Sequence, residues 1–115
     1  MRTFKNTAAQ GDVTFRRVDL ANYNIAKLTK VAPEGDELII THSETGHHHV
    51  MERKAATLYN LPNSIMECLL IVDRPTELRH LREYDTHEPI LFDVGAYIVK
   101  RQREYVPGSF RRVED

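Results

Sequence analysis

Apolar residues recur along this chain mostly at every second position. "GDVTFRRV", residues 11–18, sets Val13 and Phe15 against Asp12 and Thr14. "DELIITH", residues 36–42, puts Leu38 and Ile40 on one face. "ATLYNL" and "IMECLLIV" are short apolar runs bounded by Pro62, Asn63, Asp73 and Pro75. "HEPILFDVGAY" reads as a short strand ending at Phe92, followed by a turn into the last strand. In that last strand Tyr97, Val99, Arg101, Arg103 and Tyr105 share one face, and Ala96, Ile98, Lys100, Gln102 and Glu104 the other. Period two with Gly, Pro and Asn punctuation is the pattern of strands. It predicts about seven or eight strands, and so a single mainly β domain, a small β-sandwich or β-barrel. Two stretches fit one or two short helical turns. "LANYNIAKLTK", 20–30, brings Ile25 and Leu28 to one side. "TELRHLREY", 76–84, has Thr76 as an N-cap candidate and brings Leu78 and Leu81 together, but it reads equally well as a strand.

The chain has 115 residues, the size of one domain. A polar N-terminal arm (1–9) and a polar C-terminal tail (107–115) flank the β pattern. A domain this size buries roughly two-thirds of its unfolded surface and needs no staples. The one cysteine, Cys68, cannot form an internal disulfide. It reads as a small buried hydrophobe and fits a reducing compartment. Sixteen basic and 17 acidic residues leave a net charge of −1, so no global field draws the chain to nucleic acid or a membrane. "MRTFKNTAAQ" lacks the apolar core of a signal peptide, and no apolar run approaches the ~18 residues of a membrane span. Cytoplasmic synthesis is the expectation, with no membrane partner.

The candidate chemistry concentrates at "THSETGHHHVME". "ELIITH" and "HHHVME" are strand-like, and "SETG" supplies a tight turn with Gly46 where positive φ is needed. Two registers are open. Pairing His42 with His47 collects Leu38, Ile40, His42, His47, His49 and Met51 on one face. Pairing Ser43 with His47 moves His42 to the face of His48, because a one-residue slip exchanges the faces. The first is preferred, since it gathers the apolar residues. His47 and His49, at i and i+2, then project with His42, and imidazoles so placed can converge on a metal. His87 is a candidate fourth ligand, and Glu44 or Glu52 a candidate carboxylate. The ion would be zinc or another divalent transition metal. No general base or substrate pocket is identifiable, so the expectation leans away from an enzyme, and no cofactor is required. The bland alternative is a polar hairpin tip.

A second cluster lies at the end of the chain. Lys100, Arg101, Arg103, Arg111 and Arg112 interleave with Tyr97, Tyr105 and Phe110. Arg and Tyr are enriched at interface hot spots, so Tyr97, Arg101, Arg103, Tyr105, Phe110, Arg111 and Arg112 form a candidate protein interface. Basic residues with aromatics can also stack bases and hold phosphates. The balanced charge and the nearby Glu104, Glu114 and Asp115 make nucleic acid the less favoured partner.

Several separated pieces, "QGDV" (10–13), "ETGHHH" (44–49), "HEPI" (87–90), "GAYIV" (95–99) and "QREYVP" followed by "RRVED", occur together in this order. In this the chain resembles an uncharacterised family of small β-proteins from bacteria and their phages. The resemblance falls on Gln10, Gly11, Asp12, Gly46, His47, His49, His87, Gln102, Arg103, Glu104 and Tyr105. The family commonly carries a second His three residues before the position of His87. Here that residue is Tyr84, which removes one imidazole from the pattern. The resemblance implies a fold and a set of residues, and no established activity.

Three functions remain open. The first is a non-enzymatic structural or assembly protein, such as a phage virion component that decorates or cements a capsid. Its partners would be copies of itself or a larger protein shell, and its location the virion. The second is a His-rich metal-binding β-barrel protein, extending to a metalloenzyme. The third is a small nucleic-acid-associated protein.

Overall fold

A strand with one apolar face is stable only when that face closes on another, and here two sheets close on each other. The computed structural model describes residues 2–41, 48–62, 64–80 and 89–101, with the strand segments 103–106 and 109–112. Its strands are β1 (Thr7–Gln10), β2 (Val13–Val18), β3 (Thr29–Lys30), β4 (Glu37–Thr41), β5 (His49–Glu52), β6 (Ala56–Asn60), β7 (Glu67–Val72), β8 (Thr76–His80), β9 (Ile90–Phe92), β10 (Gly95–Arg101), β11 (Arg103–Val106) and β12 (Ser109–Arg112). A six-stranded sheet has the order β1-β2-β10-β7-β6-β3, and a four-stranded sheet the order β4-β5-β8-β9. β11 and β12 pair as a separate hairpin. The strand pairings are antiparallel and the sheets do not close into a barrel, so the fold is a β-sandwich. Short pieces such as β3 and the break between β10 and β11 raise the strand number above the seven or eight expected.

The alternation read in the sequence is the alternation that is buried. Val13 and Phe15 of β2, Leu38 and Ile40 of β4, Met51 of β5, Leu58 of β6, Leu70 of β7, Leu78 of β8, Ile90 and Phe92 of β9, and Tyr97 and Val99 of β10 fill the space between the sheets. β10 is apolar on its other face too. Ala96 and Ile98, with Leu69 of β7, lie under Val18, Tyr23, Ile25 and Leu28. That cover comes from residues 20–30, which form two 3-10 turns, Leu20–Asn22 and Ile25–Lys27. The Asp19 side chain caps the first by accepting a hydrogen bond from the Ala21 amide at 3.0 Å. Tyr23 and Leu28, which end the two turns, are extended, so no α-helix propagates. Ile25 and Leu28, three apart, eclipse each other on a 3-10 turn and both face the sheet.

Residues 76–80 resolve the other ambiguous stretch as a strand rather than a helix. Thr76 and Leu78 are buried while Glu77 and Arg79 are exposed, a period of two. β8 is paired on both sides, by β5 and β9, and those ladders outweigh the helical spacing of Leu78 and Leu81. The rest of that stretch, 81–84, lies outside the described residues.

The residues read as an N-terminal arm are part of the sandwich. Arg2 forms a parallel bridge with Ile90 of the four-stranded sheet. Five residues later β1 enters the six-stranded sheet, so the chain passes from one sheet to the other. Between them Phe4 stacks edge-on against Phe92 with centroids 4.8 Å apart, and lies 5.7 Å from Tyr97. Phe15 also meets Phe92 edge-on at 4.9 Å. Such aromatic pairs contribute about 0.5–1.5 kcal/mol each beyond their burial.

Arg17 fastens this end. Its Nε donates to the Lys5 carbonyl at 2.9 Å, and its Nη1 to the Val94 carbonyl at 3.2 Å. Its Nη2 donates to the Tyr97 hydroxyl at 2.8 Å, while the guanidinium carbon sits 4.8 Å from the centre of the Tyr97 ring. The Tyr97 hydroxyl donates in turn to the Asp93 carbonyl at 2.6 Å. Gly95 takes φ +153°, a conformation in which other L residues are strained, and a Cβ there would displace the Arg17 guanidinium.

Two outcomes follow. Arg17→Met removes three hydrogen bonds and a cation–π contact from a partly solvated site, and should cost about 1–2 kcal/mol in urea unfolding. Burial pushes the Tyr97 phenol above its ordinary value near 10; the Arg17 charge lowers it and Asp93 raises it, and burial is the larger effect. A folded-state value above the unfolded one means this contribution is intact below pH ~10 and is lost as pH rises through the folded value. Tyr97→Phe should therefore reduce the alkaline loss of stability above pH ~10, measured as urea midpoints against pH.

Candidate functional site

His49, the first residue of β5, and His80, the last of β8, are register partners at one end of the four-stranded sheet. The β4–β5 hairpin follows the preferred register at Glu37↔Glu52, Leu38↔Met51 and Ile39↔Val50. The pairing then shifts to Thr41↔His49, leaving Ile40 as the extra residue of a β-bulge. Beyond the bulge the ladder is in the step of the second register. His42, Glu44 and His47 lie outside the described residues, as does His87. His48 is half-buried, and His49 is buried at 7% exposure.

His49 and Met51 lie on the inward face of β5, while Glu52 lies one position on and is exposed. Strand alternation therefore separates Glu52 from His49. Glu52 instead lines a polar crevice of about 290 Å³ with Asp36, Glu37, Lys54 and Arg79. There the Arg79 guanidinium stands 3.5 Å from the Glu37 carboxylate. Both side chains are more than two-fifths exposed, which leaves the pair worth no more than about 1 kcal/mol.

The His49 ring reaches across the sandwich. Its Nδ1 lies 2.7 Å from Oε1 of Gln10, the last residue of β1 in the opposite sheet. Gln10 is 3% exposed, and its Nε2 donates to the Leu78 carbonyl of β8 at 3.3 Å. One buried amide thus joins β1 to both β5 and β8. The turn after Gln10 fixes its position. Gln10 and Val13 are register partners, so Gly11 and Asp12 alone make the turn, and Gly11 takes φ +61°. Glycine with positive φ at the first central position, before a residue with negative φ, is the type II′ hairpin turn. Losing one partner of this buried pair would cost about 1–3 kcal/mol of unsatisfied polar group.

His49 is also the register partner of His80, the last residue of β8. Directly opposed residues of antiparallel strands have Cα atoms roughly 4.5–5.5 Å apart. The sequence singled out Gln10 only through the family resemblance, without a role, and did not single out His80. Gln10 was legible as a polar residue at an inward position, in step with Val13 and Phe15 once "AAQGDV" is read as a hairpin. His80 falls in step with Thr76 and Leu78 once 76–80 is read as a strand. Among the described residues, no group of three or more His, Cys, Asp or Glu side chains is close enough to hold a metal ion.

The C-terminal cluster is divided. Tyr97 is fully buried in the core and offers no surface to a partner. Arg101 is half-buried, and its Nη2 donates to the sulfur of Cys68. The Cys68 thiol lies 3.7 Å from the Asn60 amide oxygen and is buried, as a small core hydrophobe would be. Arg103 and Arg112, and Tyr105 and Phe110, are register partners in the β11–β12 hairpin, with Arg111 opposite Glu104.

A shallow groove of about 470 Å³ runs along the outer face of β1, β2, β10 and β7, beside the 3-10 cover. Ala9, Thr14 and Ile98 contribute to its lining, with Arg16, Lys100 and Glu67 bringing charge. Lys100 and Glu67 are cross-strand partners. β1 is the edge strand here, and Arg2 covers part of that edge by donating to the Ala9 carbonyl at 2.8 Å.

No curated protein and no solved structure matches the chain. Residues 9–102 match a family described as a domain of unknown function, DUF8820. That span runs from the Gln10 turn to the end of β10 and takes in Gln10, His49 and His80, together with most of both sheets. By that match the chain belongs to the DUF8820 family.

Proposed function

We propose that the protein is a metal-binding β-sandwich that holds a divalent transition-metal ion, such as zinc, at the His49 end of the four-stranded sheet. The observation that carries this reading is the state of His49: a buried imidazole, held through Nδ1, whose register partner is a second histidine. Imidazole ligands of metal ions are commonly held in this way, with the nitrogen away from the metal donating to a carbonyl or carboxylate oxygen. His47 precedes His49 by two residues in the sequence, the spacing of a His-x-His pair, and with His42 and His87 completes the candidate ligand set. The described donors fit an ion in part: His49 supplies one imidazole, and the remaining ligands in this reading are His42, His47 and His87, which lie outside the described residues. The role of the ion is structural in this reading, since no general base accompanies the site among the described residues. Protein purified without nickel resin should carry about one equivalent of metal by elemental analysis, and chelator should lower its melting temperature. His49→Ala should abolish both effects. Metal-free protein whose stability ignores added zinc and chelator would remove this reading.

A second reading is a non-enzymatic assembly protein working against copies of itself or a larger shell, with a phage virion component as its most specific form. It is favoured by the groove beside the edge strand β1, where an apolar floor and the cross-strand charges of Lys100 and Glu67 lie open. Light scattering should then give a particle heavier than the 13.4 kDa chain, and Ala9→Arg, which fills the groove from an exposed position, should return it to a monomer. A wild-type monomer that joins no larger shell would contradict it.

A further inference from the structure

β1 is an edge of the six-stranded sheet, and its outer backbone groups are open to pairing. The Arg17 amide donates to the Asn6 carbonyl at 2.7 Å, and the register runs on from Thr7↔Arg16 to Gln10↔Val13. Bonded pairs alternate along an antiparallel ladder. Ala8 therefore bonds to Phe15, while Thr7 and Ala9 turn their N–H and C=O groups away from β2. The Ala9 carbonyl accepts from the Arg2 guanidinium at 2.8 Å. The Thr7 amide, the Thr7 carbonyl and the Ala9 amide have no partner among the described residues, and both residues are exposed. The two faces of this edge differ. On the core side Ala8 and Phe4 are partly buried apolar residues. On the outer side the exposed Arg16 stands beside Thr7, and Lys100 lies beyond Thr14, the partner of Ala9. Lys5 and Arg2, both exposed, precede β1. Four cationic residues thus gather at one edge of a chain whose net charge is −1, against Glu67, opposite Lys100, and Asp12 in the turn.

We propose that the β1 edge docks an extended acidic segment of a partner protein, which adds to the six-stranded sheet as an antiparallel strand with acidic and apolar residues in alternation. Its backbone pairs with Thr7 and Ala9, the mode of strand addition. Its apolar side chains close over Ala8 and Phe4. Its carboxylates meet Arg16, Lys100 and the Arg2 guanidinium, which leaves the Ala9 carbonyl to the new strand. A second copy of the chain fits less well, because a symmetric contact through this edge sets the same cations against each other. Single-stranded nucleic acid also fits less well. The aromatic ring of this groove, Phe15, is 1% exposed and offers no face to a base. The inference deepens the assembly reading above by naming the chemistry of the partner, and it is independent of the metal.

Fluorescence anisotropy on the full chain tests it, with a labelled synthetic peptide of alternating Glu and Val as the probe. The peptide should bind, more weakly as salt rises, and a Lys/Val peptide of the same length should not. Thr7→Pro removes an outward N–H, a change that edge strands accommodate. It should leave the circular dichroism spectrum unchanged and weaken binding about tenfold. Arg16→Glu, at an exposed position, should lose the Glu/Val peptide and gain the Lys/Val one, a reversal that unfolding would not produce. Wild-type protein that does not bind the Glu/Val peptide overturns the proposal, as does a folded Thr7→Pro or Arg16→Glu variant that binds it as wild type does. Tighter binding of oligo(dT) than of the peptide also overturns it. If light scattering finds a monomer that joins no shell and the peptide still binds in this pattern, the assembly reading fails and the docking edge stands.

Discussion

β10 is the strand whose two faces both have to be hidden. Tyr97 and Val99 face the space between the sheets, and Ala96 and Ile98 face outward. A strand apolar on both faces can sit only in the middle of a sheet, with cover on each side. The four-stranded sheet covers one face. On the other, the two 3-10 turns of residues 20–27 lay Tyr23 and Ile25 over Ile98 and Leu69. β2 and β7 flank β10, and the edges fall to the shorter β1 and β3. Burying a side chain such as Ile98 or Val99 contributes about 1.5–3 kcal/mol.

Two polar side chains, Arg17 and Gln10, join separate parts of this sandwich. Arg17 links the N-terminal segment, the turn before β10 and Tyr97. Gln10 links β1 to β5 and β8. At each place a tight turn fixes the geometry, Gly95 under the Arg17 guanidinium and Gly11 after Gln10. The Gln10 link differs in that one partner is an imidazole.

The fold was legible because strand alternation is a local signal. Val13 with Phe15, Leu38 with Ile40, and Tyr97 with Val99 were each read on the face that is buried. What local pattern could not carry was competition between neighbours. Residues 76–80 carry helical spacing, yet ladders with β5 and β9 make them a strand. The preferred hairpin register holds for three pairs, until the bulge at Ile40 shifts it. Tyr97 looked like an interface residue by type, and it lies in the core because its ring is needed against Phe4 and Phe92. Of the candidate metal ligands, His49 was legible by type and position. Its partner Gln10 lies 39 residues away in sequence, and only the closing of one sheet on the other brings them together.

The proposed function is that the buried His49 imidazole serves a metal ion. X-ray absorption at the zinc edge, on the zinc-loaded chain, tests it most directly. The claim predicts a nitrogen shell at about 2.0–2.1 Å with the outer scattering of coordinated imidazole, diminished in His49→Ala. A shell of oxygen alone, or a spectrum unchanged by that substitution, would contradict it.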